Sequence, residues 1–252
     1  MDKIKVFKTL LDKFETDEIR KYCEDMIEQI PDYIFTMPSS TSLKYHNKTQ
    51  CQPHGQIFHI LMFGEIMNYI LGLEYIQEKY YKPRHRDCLR CTAIFHDALK
   101  CGLDGLSHTV HEHPLLAGKW IRNTIVEHDI PQETKEYIAE LCERHSGQWT
   151  ETKRSKVVLP KPDTDESFLV HLCDYLASRS NLDMIYPDEV YEALNEIEVP
   201  KVELPKLEEY VLDFGKHKGE KLIDVARSHP DYISWAKENI HREPIKSLLT
   251  QL

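Results

Sequence analysis

An all-α fold with a small C-terminal α+β module is what the sequence predicts, on three observations. Apolar residues recur at helical spacing through most of the chain. The 252 residues include only nine glycines. A tight two-glycine stretch near the end, Tyr210 to Lys221, reads as a hairpin rather than a helix. With 41% hydrophobic residues the chain can bury a sizeable core, which excludes wholesale disorder.

The N-terminal thirty residues read as two amphipathic helices. Val6, Leu10, Leu11 and Phe14 mark one buried face; Ile19, Cys23, Met26, Ile27 and Ile30 mark the next. Thr16, followed by Asp17 and Glu18, suits the second helix start. Residues 36–53 lose periodicity and gather hydroxyls and cations, among them Ser39, Ser40, Lys44 and His46. Such a loop is either ordinary solvated chain or a wall of donors around a phosphate. A strong helix follows from His54 to about Leu73, with Ile57, Ile60, Leu61, Met67 and Leu71 on one stripe. His59 falls beside that stripe, and His54 stands at the helix start.

A charged connection, 78–86, leads to a helix expected over about Arg86–Cys101, carrying the doublet His96-Asp97 with Lys100 behind it. Imidazole beside carboxylate suits divalent metals of the Mn, Fe, Ni or Zn type. The loop after it holds two glycines and the histidines His108, His111 and His113. Pro114 suits the first turn of a helix reaching about Glu127. Pro131 opens another, stopped by Gly147 and leaving His145 in its last turn. After a basic surface loop at 150–162, Asp163 or Asp165 is expected to cap a helix of Phe168, Leu169, Leu172, Tyr175 and Leu176. Asp174 lies within that apolar helix, where a carboxylate is costly without a positive partner. His171 is the nearest candidate partner. A short helix at 187–197, an extended linker at 198–206, the hairpin, and helices at 222–228, 230–239 and after Pro244 complete the chain. The division expected is 1–197, linker 198–206, and 207–252.

Composition narrows the chemistry. The formal net charge of -10 excludes binding of duplex nucleic acid by general counterion release. It allows a phosphate substrate where metal ions supply positive charge. The seven cysteines follow no framework spacing. Cys88-x-x-Cys91 has no second pair to complete a zinc site, so core packing is expected. With no apolar leader and no run of 18 apolar residues, a soluble cytoplasmic protein with reduced thiols is expected, without membrane contact.

Taken together, His59, His96-Asp97, His113, His145 and Asp174 lie in an order that resembles the HD superfamily of metal-dependent phosphohydrolases over roughly residues 36–183. The flanking text agrees. Phe95–Lys100 is similar to that family's His-Asp segment. Glu112–Gly118 is similar to its second-metal helix entrance, Arg144–Trp149 to its His-x-Gly-x-Trp turn, and Leu169–Ser178 to its closing aspartate helix. The resemblance implies an HD-domain helical bundle. It implies a first divalent metal on His59, His96, Asp97 and Asp174, and a second on His113 and His145 with Asp97 bridging. His54 remains an alternative to His59, and His111 to His113. Metal identity stays open among Mn, Fe, Ni, Mg and Zn. Asp97 and Lys100 are the catalytic candidates; Ser39, Ser40, Lys44 and His46 are the substrate-phosphate candidates.

The tail, Phe214–Gly219 followed by Pro230–Trp235, resembles the C-terminal module of the exonuclease X group. Its seven basic and eight acidic side chains give it a net charge of -1, which adds no electrostatic support for nucleic acid. The expected function is hydrolysis of a nucleotide or oligonucleotide phosphoester, leaning to a phosphodiesterase or 3′–5′ nuclease-like activity on a nucleotide or short single strand. A nucleotide phosphatase or deoxynucleotide triphosphohydrolase, and a non-catalytic nucleotide-sensing protein, are the alternatives. An oligomer is left open.

Overall fold

The computed structural model describes residues 2–40, 44–80, 82–105, 108–199, 204–240 and 244–252. Helix α3, Gly55–Leu71, occupies the middle of the larger part. It is apolar nearly all round, so it is buried along most of its length. Helices α1 (Lys3–Leu11), α5 (Pro83–Phe95) and α8 (Asp165–Ala177) pack against it. The approach of α1 is close enough that a Cβ on Gly64 would stand 2.5 Å from Leu10 Cδ1. Helices α6 (His113–Asn123) and α7 (Gln132–Glu143) pair with each other, and α7 also lies on α5. Helix α9 (Asp188–Asn195) covers α1.

Helix α2, Asp17–Glu28, starts where expected, but Thr16 does not cap its own helix. The anchor comes from α5. Asp87, fully buried, accepts from the backbone N–H of Glu15 (3.1 Å) and Thr16 (2.8 Å) and from the Thr16 hydroxyl (2.7 Å). Arg90 supplies the opposite charge at 2.7 Å. Arg86 and Arg90 also grip Glu15, whose carboxyl they hold down at about 2 against its desolvation.

Several boundaries differ from the sequence reading. A further short helix, α4 (Glu74–Lys79), with none of its residues buried, runs into the start of the charged connection. Helix α5 ends at Phe95, so the His-Asp doublet lies in the turn beyond it. Helix α6 stops at Asn123. Helix α8 is capped by Thr164, in a reciprocal box with Ser167, rather than by Asp163 or Asp165. All seven cysteines are buried and none forms a disulfide, Cys88 and Cys91 lying within the core.

Beyond the linker, of which residues 200–203 lie outside the described set, Leu212, Leu222, Val225, Ile233, Ile245 and Leu248 form their own apolar cluster. Helices α10 (Leu222–Ser228), α11 (Pro230–Asn239) and α12 (Ile245–Leu249) supply most of it. The expected α+β character is corrected here. The described residues contain no strand, and the hairpin reduces to one antiparallel bridge, Val211–Lys221. The reason is local: Lys221 is already the N-cap of α10, so the returning arm turns helical before a second pair forms. No helix of the described residues is long and apolar enough to cross a membrane.

Replacing Asp87 with Ala removes the cap of α2 and leaves Arg90 without its buried counter-charge. A loss of about 3–5 kcal/mol is expected, read as a lower denaturation midpoint. Asp87→Asn, which keeps an acceptor oxygen, should lose less.

Candidate metal centre

The segment after α5 turns tightly, with Ala98 N–H donating to Phe95 O and Lys100 N–H to Asp97 O. This turns the doublet toward one centre, Asp97 lining a cavity and the buried His96 placing its Nε2 3.5 Å from Asp97 Oδ2, instead of on successive faces of a helix. His59 reaches the same cavity from α3, His113 from the start of α6, His145 from just past α7, and Asp174 from α8. The cavity is about 360 Å³ in volume.

Six side chains meet there in two groups of three. In the first, His59 Nε2 lies 3.2 Å from His96 Nε2 and 3.0 Å from Asp174 Oδ1. In the second, His113 Nε2 lies 3.2 Å from His145 Nε2, and Asp97 Oδ1 stands 2.9 and 3.7 Å from the two. The other Asp97 oxygen, Oδ2, faces the first group, 3.5 Å from His96 Nε2 and 3.8 Å from His59 Nε2. Each triad's donor atoms lie within 4.8 Å of one another, a spacing that could hold a metal ion.

The backbone decides which nitrogen is free. His113 Nδ1 is 2.7 Å from Val110 O, His145 Nδ1 2.7 Å from Cys142 O, and His96 Nδ1 2.9 Å from Ala93 O. A carbonyl only accepts, so each Nδ1 carries the proton and each neutral ring turns an Nε2 lone pair inward. Two lone pairs 3.2 Å apart repel unless a cation or a shared proton sits between them. Asp97 Oδ1 and His59 Nδ1, both buried, have no hydrogen-bond partner of good geometry among the described residues. The donor set and the unsatisfied Asp97 Oδ1 therefore fit a divalent cation.

Electrostatics favour ionised acids, and burial lowers His59 and His145 toward the neutral form. Burial raises the Asp97 carboxyl, but Lys100, His96 and His113 outweigh it and hold the group well below the usual range. Burial likewise opposes ionisation of Asp174, and His59, His96 and His145 overcome it. Burial pushes His145 down to about 3. His96 goes the other way: burial lowers it, and the neighbouring Asp97 and Asp174 more than reverse that.

Of the remaining sequence candidates, Lys100 and His46 line the cavity. Lys100 Nζ donates to Asp97 Oδ2 at 2.7 Å and to Ser39 Oγ at 3.3 Å. Ser39 is buried against Lys100 and does not line the cavity. Ser40 is a hydrogen-bond neighbour of the Cys51 thiol and Lys44 sits over the Tyr45 ring at 4.8 Å; neither lines the cavity. Residues 41–43 of that loop lie outside the described set. Both alternative histidines are engaged elsewhere: His54 Nδ1 with Phe35 O (2.6 Å), His111 Nε2 with Val157 O (3.2 Å). His171 does not partner Asp174; its Nδ1 meets His145 O at 2.9 Å. Gly147, at φ +61°, leaves the space for that ring, because a Cβ there would fall 2.1 Å from it.

Sequence reasoning missed Gln56, whose Nε2 donates to Asp97 Oδ2 at 3.0 Å. A buried amide one turn before His59, in an otherwise apolar helix, is the signal that marked it. It also missed Tyr45, Trp149 and Arg179 at the cavity mouth.

Against known families, residues 59–179 match the HD domain, and residues 212–241 match the Exodeoxyribonuclease X-like C-terminal domain. The first match spans all six converging residues. The chain thus carries an HD domain, the mark of metal-dependent phosphohydrolases, and an exonuclease X-like tail. No curated protein and no solved structure matches it.

Burial also pushes His46 down to about 3, far below the ordinary value near 6.5. Between these values the unfolded chain binds the proton and the folded chain does not, so this histidine's contribution to stability is lost as pH falls from about 6.5 toward 3. Denaturation of metal-free protein across that range should show the loss, and His46→Asn should lessen it, the lowered His59 and His145 supplying the remainder.

Proposed function

We propose that the protein hydrolyses a nucleotide or oligonucleotide phosphoester with water, using divalent metal ions held by the two triads. The observation that carries this reading is the pair of opposed imidazole lone pairs on His113 and His145, facing Asp97 Oδ1. In this reading His59, His96, Asp97 and Asp174 hold one ion. His113 and His145 would hold the other, with Asp97 shared between the two. When bound, such ions acidify a water and take up charge that develops on phosphoryl oxygens.

The protein's own groups do the rest. The carbonyls of Ala93, Val110 and Cys142 keep the Nε2 atoms free by holding the Nδ1 protons. Gln56 and Lys100 fix the rotation of the Asp97 carboxylate from one side, so that its Oδ1 is left for the second triad. Lys100 is the cation nearest Asp97, placed to meet a phosphoryl oxygen entering the cavity. A complete set of donors supports an enzyme over a nucleotide sensor, which would need no such set.

The exonuclease X-like tail supports a phosphodiesterase or 3′–5′ nuclease-like activity over a nucleotidase. The division into a catalytic part (1–197), a linker (198–206) and an appended module (207–252) belongs to the same proposal. So does the short single strand as substrate.

Purified protein with Mn²⁺ should cleave diesters in a panel of mononucleotides, cyclic nucleotides and short single strands. Release of phosphate from mononucleotides alone would favour a nucleotidase. Tight nucleotide binding without turnover under every metal would overturn the hydrolase. Asp97→Ala should lose bound metal and lower turnover by about 10³-fold or more while its circular dichroism stays helical. Full metal occupancy in that variant would contradict the ligand assignment.

A further inference from the structure

One wall of the cavity has no part in holding the metals, and it is aromatic. Trp149 and Tyr45 both line the mouth, 51% and 50% exposed. Both rings stand half open to water beside the cavity that Asp97, His113 and His145 also line. Their support is rigid. Trp149 stacks nearly parallel on Tyr175, 5.8 Å between centroids and 10° between planes. The Arg179 guanidinium lies 3.9 Å from the Tyr175 centroid and 5.9 Å from that of Tyr45. Two of its nitrogens are tied to the end of α8: Nε donates to Tyr175 O at 2.9 Å, and Nη2 meets Ser178 Oγ at 3.2 Å.

Trp149 is also locked to the metal-facing chain. Its N–H donates to Ser146 O, in the turn that begins at His145. The ring of His171, which holds His145 O, lies 5.8 Å from Trp149. The turn therefore joins a donor group for a cation and an open aromatic face. The same cavity is lined by Lys100 and by His59, Asp97, His113, His145 and Asp174. One ligand shape suits both features: a phosphoester with a flat, polarisable ring attached.

We propose that Trp149 and Tyr45 are specificity-determining residues that hold a nucleobase at the cavity mouth, Trp149 by stacking, with Arg179 as the cation beside it. The proposal rests on the hydrolase reading for its phosphate end and adds the base as the recognised group. Stacking tolerates any base, because every base has a π-face. The site is then selective for nucleosides over other phosphoesters, and not for one base over another.

The test compares a dinucleotide with the matching abasic diester, both with Mn²⁺, in wild type, Trp149→Ala and Trp149→Phe. Wild type should prefer the dinucleotide in kcat/KM. In Trp149→Ala that preference should fall by about 5- to 100-fold, chiefly through KM, and Trp149→Phe should recover most of it. An unchanged preference in Trp149→Ala would overturn the proposal. Binding separates this from failure of the hydrolase itself. If neither diester turns over, calorimetric titration with adenosine monophosphate and with ribose 5-phosphate still decides. A preference for the nucleotide that Trp149→Ala abolishes upholds base recognition. Equal affinity for the two in wild type defeats it.

Discussion

Everything in the cavity depends on where the histidine protons are. Three imidazoles give their Nδ1 proton to the carbonyl three residues earlier in the chain. That contact is local, made by the same turn that ends or begins a helix. It leaves the Nε2 atoms as acceptors, aimed at one another and at two carboxylates. Such an arrangement is unfavourable without positive charge at its centre, because desolvated acceptors are brought together. The helical scaffold around α3, with α1, α5 and α8 against it, supplies the packing that holds them there.

Asp97 links the two halves of this arrangement. One oxygen is shared among Gln56, Lys100 and the first triad's edge, while the other faces His113 and His145. Lys100 in turn is braced by Ser39, so a residue that reads as a loop hydroxyl serves the carboxylate indirectly. Under the proposed function, ions held by the two triads would supply at the cavity the positive charge that an overall acidic chain lacks.

Much of this was legible in the sequence, for physical reasons. Residues whose chemistry is unusual for their surroundings stand out: a carboxylate in the apolar helix around Asp174, and His96-Asp97 at the end of an apolar run. Helical periodicity located α3 and the helices flanking it. What stayed hidden depended on contacts between distant segments. The cap of α2 is Asp87, some seventy residues away, and no local pattern announces it. His171 and Asp174 share a helix turn, yet the partner of Asp174 is His59 on α3. The hairpin's glycines are where a turn needs them, at φ +73° for Gly215 and +92° for Gly219, but pairing ends after one bridge because α10 begins at once. The substrate-phosphate candidates around Ser39 were chosen by residue type alone. Type does not say whether a hydroxyl faces a cavity or braces a neighbour.

The most direct measurement is anomalous diffraction from crystals grown with Mn²⁺, recorded on both sides of the manganese edge. The account predicts two peaks flanking the Asp97 carboxylate, one among His59, His96 and Asp174 and one between His113 and His145. A map with no peak at the Asp97 carboxylate, in crystals where the six side chains keep these positions at saturating metal, would contradict it.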